Sequence, residues 1–458
     1  MYPAPDEPPE PERHAAVPRR ELTATIAGTV LEWYDFAVYA ALAAVIGPLF
    51  FPRASPATSV LLALATFGVS FAVRPLGAAI LGGIADRSGR RIVLVISMVL
   101  MGGASLAIGL LPTYADVGVL ASVLLVLTRV VQGFAASGEY TGAITYLIEH
   151  CSPHRGSFYG SVMIASNMAG SLLGSSAALL LVVLSPHGFV QAGGWRIPFL
   201  LGAVTAVVGF VIRRRLAESP VFVELKRDGE LSSTPVREAF RHHRKAAAVI
   251  LGLVGPLSIL GYASTTFAPF VQSVVGTSAT VALTASVVSI SAGVVVTLVA
   301  GRFADRWGGL SVTRAGLLAT VLLTYPAFLL ITTGGWAAVV AGQLLFTVCY
   351  AVAQASTPAL YNRMLPARVR ATAYSVSYNI GTAVFGGTAP FVIAYLAGAI
   401  GDSTAPAYYL IAAALVALLV VGIARRTFRP AATARRPGRE DEMAGLPEAS
   451  PSWNRFWA

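Results

Sequence analysis

Glu32 and Asp35 stand in Leu31-Glu32-Trp33-Tyr34-Asp35-Phe36, within a run of otherwise mainly apolar residues from 23 to 50. Three positions apart, they share a helix face that Tyr39 continues. Two carboxylates so close in a low dielectric resist ionising together, so one holds a proton near neutral pH. That is the chemistry of a proton carrier. The same placement also permits a plainer role, in which one acid only neutralises a buried arginine. Arg74, in Ala72-Val73-Arg74-Pro75-Leu76-Gly77, and Arg129, in Arg129-Val130-Val131-Gln132-Gly133, are the available partners. Glu139 shares an apolar run with Arg129 but lies roughly 15 Å further along a helix, so the two are expected to serve different groups.

Each of these ionisable groups would cost about 2.5–3.5 kcal/mol at a helix centre, so each is expected to face a cavity or a partner. Apart from Arg314, near the start of the ninth, the second half of the chain has no charged residue inside its apolar runs. Its other internal polar groups are neutral: Tyr262, Gln272, Gln343, Tyr350, Gln354, Tyr378 and Asn379. Most are expected to hydrogen-bond between helices, and those on the seventh, tenth and eleventh runs are candidates to line a cavity. Proton coupling is therefore assigned to Glu32, Asp35 and Glu139, with Arg129 tuning them. Candidate substrate contacts are Arg74 and Arg196 for a carboxylate, with Trp33, Tyr34, Asn167, Tyr378 and Asn379.

The elements that must position these groups are membrane helices. The chain of 458 residues is 55% hydrophobic and 12% charged, where soluble domains carry about 25% charged residues. Twelve apolar segments fall at about 23–50, 58–85, 91–111, 116–148, 156–184, 195–213, 246–275, 278–301, 311–333, 336–361, 371–400 and 405–424. The net charge of +11 does not point to nucleic acid, because the arginines gather in alternate gaps between these segments. That is the positive-inside pattern, and it puts both ends of the chain on the cytoplasmic side.

The chain repeats itself. Gly82-Gly83-Ile84-Ala85-Asp86-Arg87-Ser88-Gly89-Arg90-Arg91 returns as Gly301-Arg302-Phe303-Ala304-Asp305-Arg306-Trp307-Gly308-Gly309. Each copy fills a short charged gap between apolar runs. Two related halves are what an alternating-access carrier needs. An Asp near a helix end and an Arg beside it can pair across the halves and hold one gate shut. Gly82, Asp86, Arg87, Gly89, Arg90, Arg91, Asp305 and Arg306 are assigned to gating on that ground. The gap 214–245 is the longest and reads as the linker between halves at 22–213 and 246–426. Residues 1–21 and 427–458 read as cytoplasmic tails, the first too Pro-rich and acidic for a signal peptide.

Enzyme chemistry finds no footing. The sequence carries no HExxH, Gly-x-Ser-x-Gly or phosphate-binding loop, and no acidic metal cluster. Cys151 and Cys349 form no framework and are taken as free thiols. His150, His154, His242 and His243 fall in loops and receive no role. No cofactor is expected, and energy is expected from a proton gradient. Small molecule, proton and lipid are the expected partners; nothing marks an oligomer face.

Taken with these motifs, the chain resembles the major facilitator superfamily over roughly residues 22 to 426. The Gly82 to Arg91 loop and Arg129-x-x-Gln132-Gly133 match signatures of that superfamily. Within it the chain looks like the metabolite:H⁺ symporter family, on Leu31–Phe36, Arg74–Gly77, Gly138-Glu139-Tyr140, Gly194-Trp195-Arg196-Ile197-Pro198-Phe199 and Phe385-Gly386-Gly387-Thr388-Ala389-Pro390. Gly138-Glu139-Tyr140-Thr141-Gly142-Ala143 and Pro406-Ala407-Tyr408-Tyr409-Leu410 are most similar to the proline/betaine transporters. The resemblance implies an all-α membrane protein of twelve transmembrane helices in two six-helix halves, importing a zwitterionic osmolyte or an organic acid with protons. Some osmosensing relatives carry a C-terminal coiled coil. Residues 425–458 show no heptad pattern, so osmotic activation by that route is not expected. The rival reading is a proton-coupled efflux antiporter. Drug antiporters of the superfamily carry a Gly-Pro-rich signature in the fifth helix. Ser166-Asn167-Met168-Ala169-Gly170 has no such proline, which favours symport.

Overall fold

A computed structural model describes residues 19–88, 90–150, 153–186, 188–213, 241, 243–365 and 367–428. The tails 1–18 and 429–458 and nearly all of the linker 214–245 lie outside the described residues. Within them every regular element is helical, the form in which a chain in lipid satisfies its own backbone groups.

Among the described residues, ten helices are long and apolar enough to cross a membrane. A bent pair and one shorter apolar helix bring the spans to twelve. In chain order they are α1 (Thr25–Ala41, continued by Ala43–Phe50), α2 (Pro56–Leu81), α3 (Arg90–Leu110), α4 (Val119–Thr145), α5 (Gly156–Leu184), α6 (Gly194–Val211), α7 (Arg244–Ser264), α8 (Ala279–Trp307), α9 (Gly309–Thr332), α10 (Trp336–Arg363), α11 (Ala373–Ile400) and α12 (Ala405–Phe428). Local chemistry sets several boundaries. Ser55 and Ser278 accept from the backbone N–H groups of Thr58 and Val281, capping α2 and α8. α1 bends by 63° at Leu42. α11 widens into a π-turn at Thr382–Gly386, just before Pro390.

Packing repeats between the halves. In the first, α1 packs on α5 and α6, α3 on α6 and α4, and α2 on α4. In the second, α7 packs on α11 and α12, α9 on α12 and α10, and α8 on α10. The two broadest pairings between the halves are α5 with α8 and α2 with α11. Each is the counterpart of the other under the same repeat.

Small residues permit the closest approach. A Cβ on Gly174 of α5 would sit 2.7 Å from the Tyr34 carbonyl oxygen and 2.8 Å from the Ala37 Cβ. Only glycine lets α1 lie so directly on α5. Leucine and valine face outward on α3, α4, α6 and α12, as a lipid-facing surface requires.

Candidate functional site

Four successive residues of α1 turn toward four different neighbours. Glu32 faces α2, where one oxygen lies 3.7 Å from Arg74 Nη2, and both side chains are almost fully buried. Trp33 faces the second half and stacks on Tyr262 of α7, with centroids 5.9 Å apart and planes at 28°. Tyr34 turns into the first half and donates its hydroxyl to the Pro198 carbonyl of α6 at 2.9 Å. Asp35 turns to α3 and accepts the Ser105 hydroxyl at Oδ2.

The Asp35 contact is one end of a buried chain. Gln132 of α4 donates Nε2–H to Ser105 Oγ at 2.9 Å, and Arg129 donates Nη1–H to Gln132 Oε1. Arg129 also lies over the ring of Tyr39, its guanidinium carbon 4.2 Å from the centroid. Arg74 lies over Phe71 at 4.2 Å and Phe36 at 4.9 Å. Aromatic faces thus share with acids the work of holding both buried cations.

Two cavities flank α1. The first is about 20 Å³, inside the first half, lined by Glu32, Asp35, Ser97, Met98, Met101 and Gly202 among others. The second, about 60 Å³, lies between the halves. Its wall is aromatic: Trp33 and Tyr140 from the first half, and Tyr262, Tyr350, Tyr361, Tyr374 and Tyr378 from the second. Asn167, Ser258, Ser264 and Gln354 supply neutral polar groups. Tyr140 and Tyr378 meet at 5.3 Å across the halves.

The halves touch beyond the central cavity at both ends. At the Arg-rich end, Asp305 of α8 accepts the N–H groups of Ser157 and Phe158, at 2.8 and 3.0 Å, in the first turn of α5. An acid there also meets the positive end of the helix dipole. Arg302 lies over Phe158 at 4.4 Å. Asn379 of α11 donates to the Ser137 carbonyl of α4 at 2.9 Å, a second hydrogen bond between the halves. At the opposite end, the short helix Phe267–Ser273 packs against Ala43–Phe50. A Cβ on Gly68 would stand 2.6 Å from the Gly387 carbonyl.

Several assignments change in detail. Arg74 does not line the central cavity; it pairs with Glu32 one layer out, against Trp33. Arg196 lines neither cavity and donates to the Leu111 carbonyl at 2.9 Å, closing the C-terminus of α3. Tyr34 and Asn379 are absent from the central wall and make the hydrogen bonds already described. Trp33, Asn167 and Tyr378 do line it. Arg306 is exposed. The side chains of Glu139, Asp86, Arg87, Arg90 and Arg91, with Gly82 and Gly89, lie outside the described part of the structure.

Sequence reasoning passed over Ser105, Gly202, Tyr361 and Tyr374. The tyrosines carried a signal, since Tyr374 and Tyr378 are one turn apart, as are Tyr350 and Gln354. Ser105 carried none, being one small polar residue among the many that membrane helices use.

A family described as the Major Facilitator Superfamily matches residues 25–390. The proline/betaine transporter of Salmonella typhimurium is 32% identical over 434 residues, covering 92% of this chain and 84% of that protein. The glycine betaine/proline/ectoine/pipecolic acid transporter OusA of Dickeya dadantii is 32% identical over 415 residues, covering 88% and 82%. Among solved structures, the xylose transporter XylE from E. coli superposes with a TM-score of 0.71 at 17% identity, over 90% of this chain and 98% of that one.

Proposed function

The chain belongs to the Major Facilitator Superfamily, and from that premise we propose that this multi-pass membrane transporter is a proton-coupled symporter importing a small zwitterion, with proline or glycine betaine the favoured substrates. The observation that carries the substrate class is the aromatic wall between the halves, with a buried guanidinium one layer behind it. Aromatic faces attract an ammonium, and a quaternary one above all, because it cannot be held by donating hydrogen bonds. The named relatives transport molecules of this class.

Coupling follows from the Glu32–Arg74 pair. While Glu32 is ionised, Arg74 has its counter-charge. When Glu32 takes a proton, Arg74 is left with a buried and uncompensated charge, which is costly. The carboxylate of a zwitterion in the central cavity, one layer away across Trp33, offsets that charge through space. Proton and substrate therefore stabilise the same loaded state, which is the requirement for symport. Asp35, linked to Arg129 through Ser105 and Gln132, serves the proton side. Asp305 and Asn379 hold the Arg-rich end together, and that end faces the cytoplasm by the positive-inside rule. Residues 22–213 and 246–426 act as the two moving halves in the plasma membrane, with both termini cytoplasmic.

The sign of proton movement tests this reading. Adding proline or glycine betaine to everted-free, right-side-out vesicles should make the outer medium more alkaline. Acidification of the medium would instead mark exchange and support efflux.

A further inference from the structure

We propose that Ser105, Gln132 and Gly202 position Asp35 so that its proton sits on Oδ1 and passes to Glu32 through a water in the first-half cavity, apart from the substrate route. The inference rests on the proton-symport reading above.

The direction of the buried hydrogen-bond chain is forced from Arg129 as far as Ser105. A guanidinium has donors only, so Gln132 must turn its carbonyl oxygen to Arg129. Gln132 Nε2–H then has to donate to Ser105 Oγ. Ser105 keeps a second lone pair and its one hydrogen, and the acceptor within reach of that hydrogen is Asp35 Oδ2. Oδ2 is thus committed as an acceptor in this arrangement, and a proton carried by Asp35 belongs on Oδ1.

Oδ1 has no hydrogen-bond partner among the described residues, although it is buried. It faces Gly202 on α6, where a Cβ would collide with it and would stand 3.2 Å from the Asp35 Cγ. Glycine at 202 therefore leaves the room that Oδ1 occupies. The cavity beside them is about 20 Å³ and is lined by both Asp35 and Glu32, where one water needs roughly 10–15 Å³ and polar partners. The transfer balances: Asp35 Oδ1–H gives its proton to the water as the water gives one to the Glu32 carboxylate. Asp35 is left ionised and Glu32 neutral.

Trp33 separates this cavity from the central one, which it lines on the other side of α1. The charged and titratable groups around Asp35 are Glu32 across the cavity, Tyr34 beside it and Arg129 behind Gln132, with Tyr39 and Arg74 next to Arg129. The described residues that α3 and α6 contribute to the cavity are all non-ionisable: Ser97, Met98, Met101, Gly202 and Ala206.

The test compares wild type, Ser105→Ala, Ser105→Thr and Gly202→Ala in liposomes, using labelled proline and glycine betaine. Counterflow measures exchange without net proton movement, and uptake under an inward proton gradient is followed from pH 5 to 8. Expected is a shift of the uptake pH midpoint by about one unit or more in Ser105→Ala and Gly202→Ala, with accumulation down about tenfold. Counterflow should change less than about threefold, and Ser105→Thr should behave as wild type. If wild type accumulates substrate and both variants keep its pH midpoint, the inference is overturned and symport stands. Parallel loss of counterflow and accumulation in Ser105→Ala overturns it too, because Ser105 then serves the fold. A wild type that exchanges substrate but never accumulates it with protons overturns the symport reading itself.

Discussion

Trp33 of the first half and Tyr262 of the second stack across the central cavity with centroids 5.9 Å apart. The contact joins the residue between the two acids of α1 to the wall of the opposite half. Phe71 of α2 meets Tyr262 edge-on at 4.8 Å and also carries Arg74 on its face. Substrate at the aromatic wall and charge at Glu32–Arg74 are therefore mechanically adjacent, and a ligand that moves either ring disturbs the pair.

Removing an aromatic face should weaken substrate binding. Cation–π contacts are worth about 0.5–2 kcal/mol, so Tyr262→Leu should raise the KM for glycine betaine by roughly 2- to 30-fold. Trp33→Phe should give a smaller rise than Trp33→Leu. Uptake kinetics at fixed pH check this, and equal KM values across these variants would count against the aromatic wall as the substrate site.

Breaking the Glu32–Arg74 pair should cost stability unequally. Arg74→Met leaves a buried carboxylate, which can regain neutrality by taking a proton. Glu32→Gln leaves a buried guanidinium, which cannot. Losing one partner of a buried pair costs about 3–5 kcal/mol, so Glu32→Gln should lower the thermal midpoint in detergent more than Arg74→Met. The ordering should reverse if Arg74 is satisfied by groups other than Glu32.

Asp305 should hold the Arg-rich end closed. Hydrogen bonds to a charged group are worth about 1.5–3 kcal/mol, so Asp305→Ala should favour opening there by about tenfold or more. Spin labels on the ends of α5 and α8 would report it as a larger population at long distance. An unchanged distance distribution would show that α5 and α8 are held by packing alone.

The pH dependence should not come from the loop acids. The Thr113 backbone N–H, and then its hydroxyl, hold Asp116 below the usual carboxylate range, and Thr404 does the same for Asp402. Groups so depressed stabilise the fold above their ordinary range and lose that contribution only as pH falls through the lowered value. Between pH 5 and 8 they stay ionised. Asp116→Asn with Asp402→Asn should leave the uptake profile unchanged, whereas Asp35→Asn should abolish its pH dependence.

The spans were legible because lipid demands long apolar runs, and the repeated Gly-x-x-x-Asp-Arg-x-Gly marked the doubling. Glu32, Asp35, Arg74 and Arg129 were legible because a charge inside such a run is expensive. Their partners were not. Helical spacing puts Glu32 and Asp35 on one face, but it cannot say that Glu32 meets α2 while Asp35 meets α3. That divergence depends on how α2 and α3 flank α1, which only tertiary packing decides. Arg196 misled for a similar reason. An arginine at a helix end can hold a substrate carboxylate or close a neighbouring helix, and the Leu111 carbonyl that it closes lies 85 positions away.

The most direct measurement is accumulation of labelled proline and glycine betaine by purified protein in liposomes, with and without an inward proton gradient. The account predicts gradient-dependent accumulation of at least one of them, collapsed by a protonophore and lost in the Glu32→Gln, Asp35→Asn double variant. Accumulation that persists undiminished in the double variant, or uptake indifferent to the gradient, would contradict it.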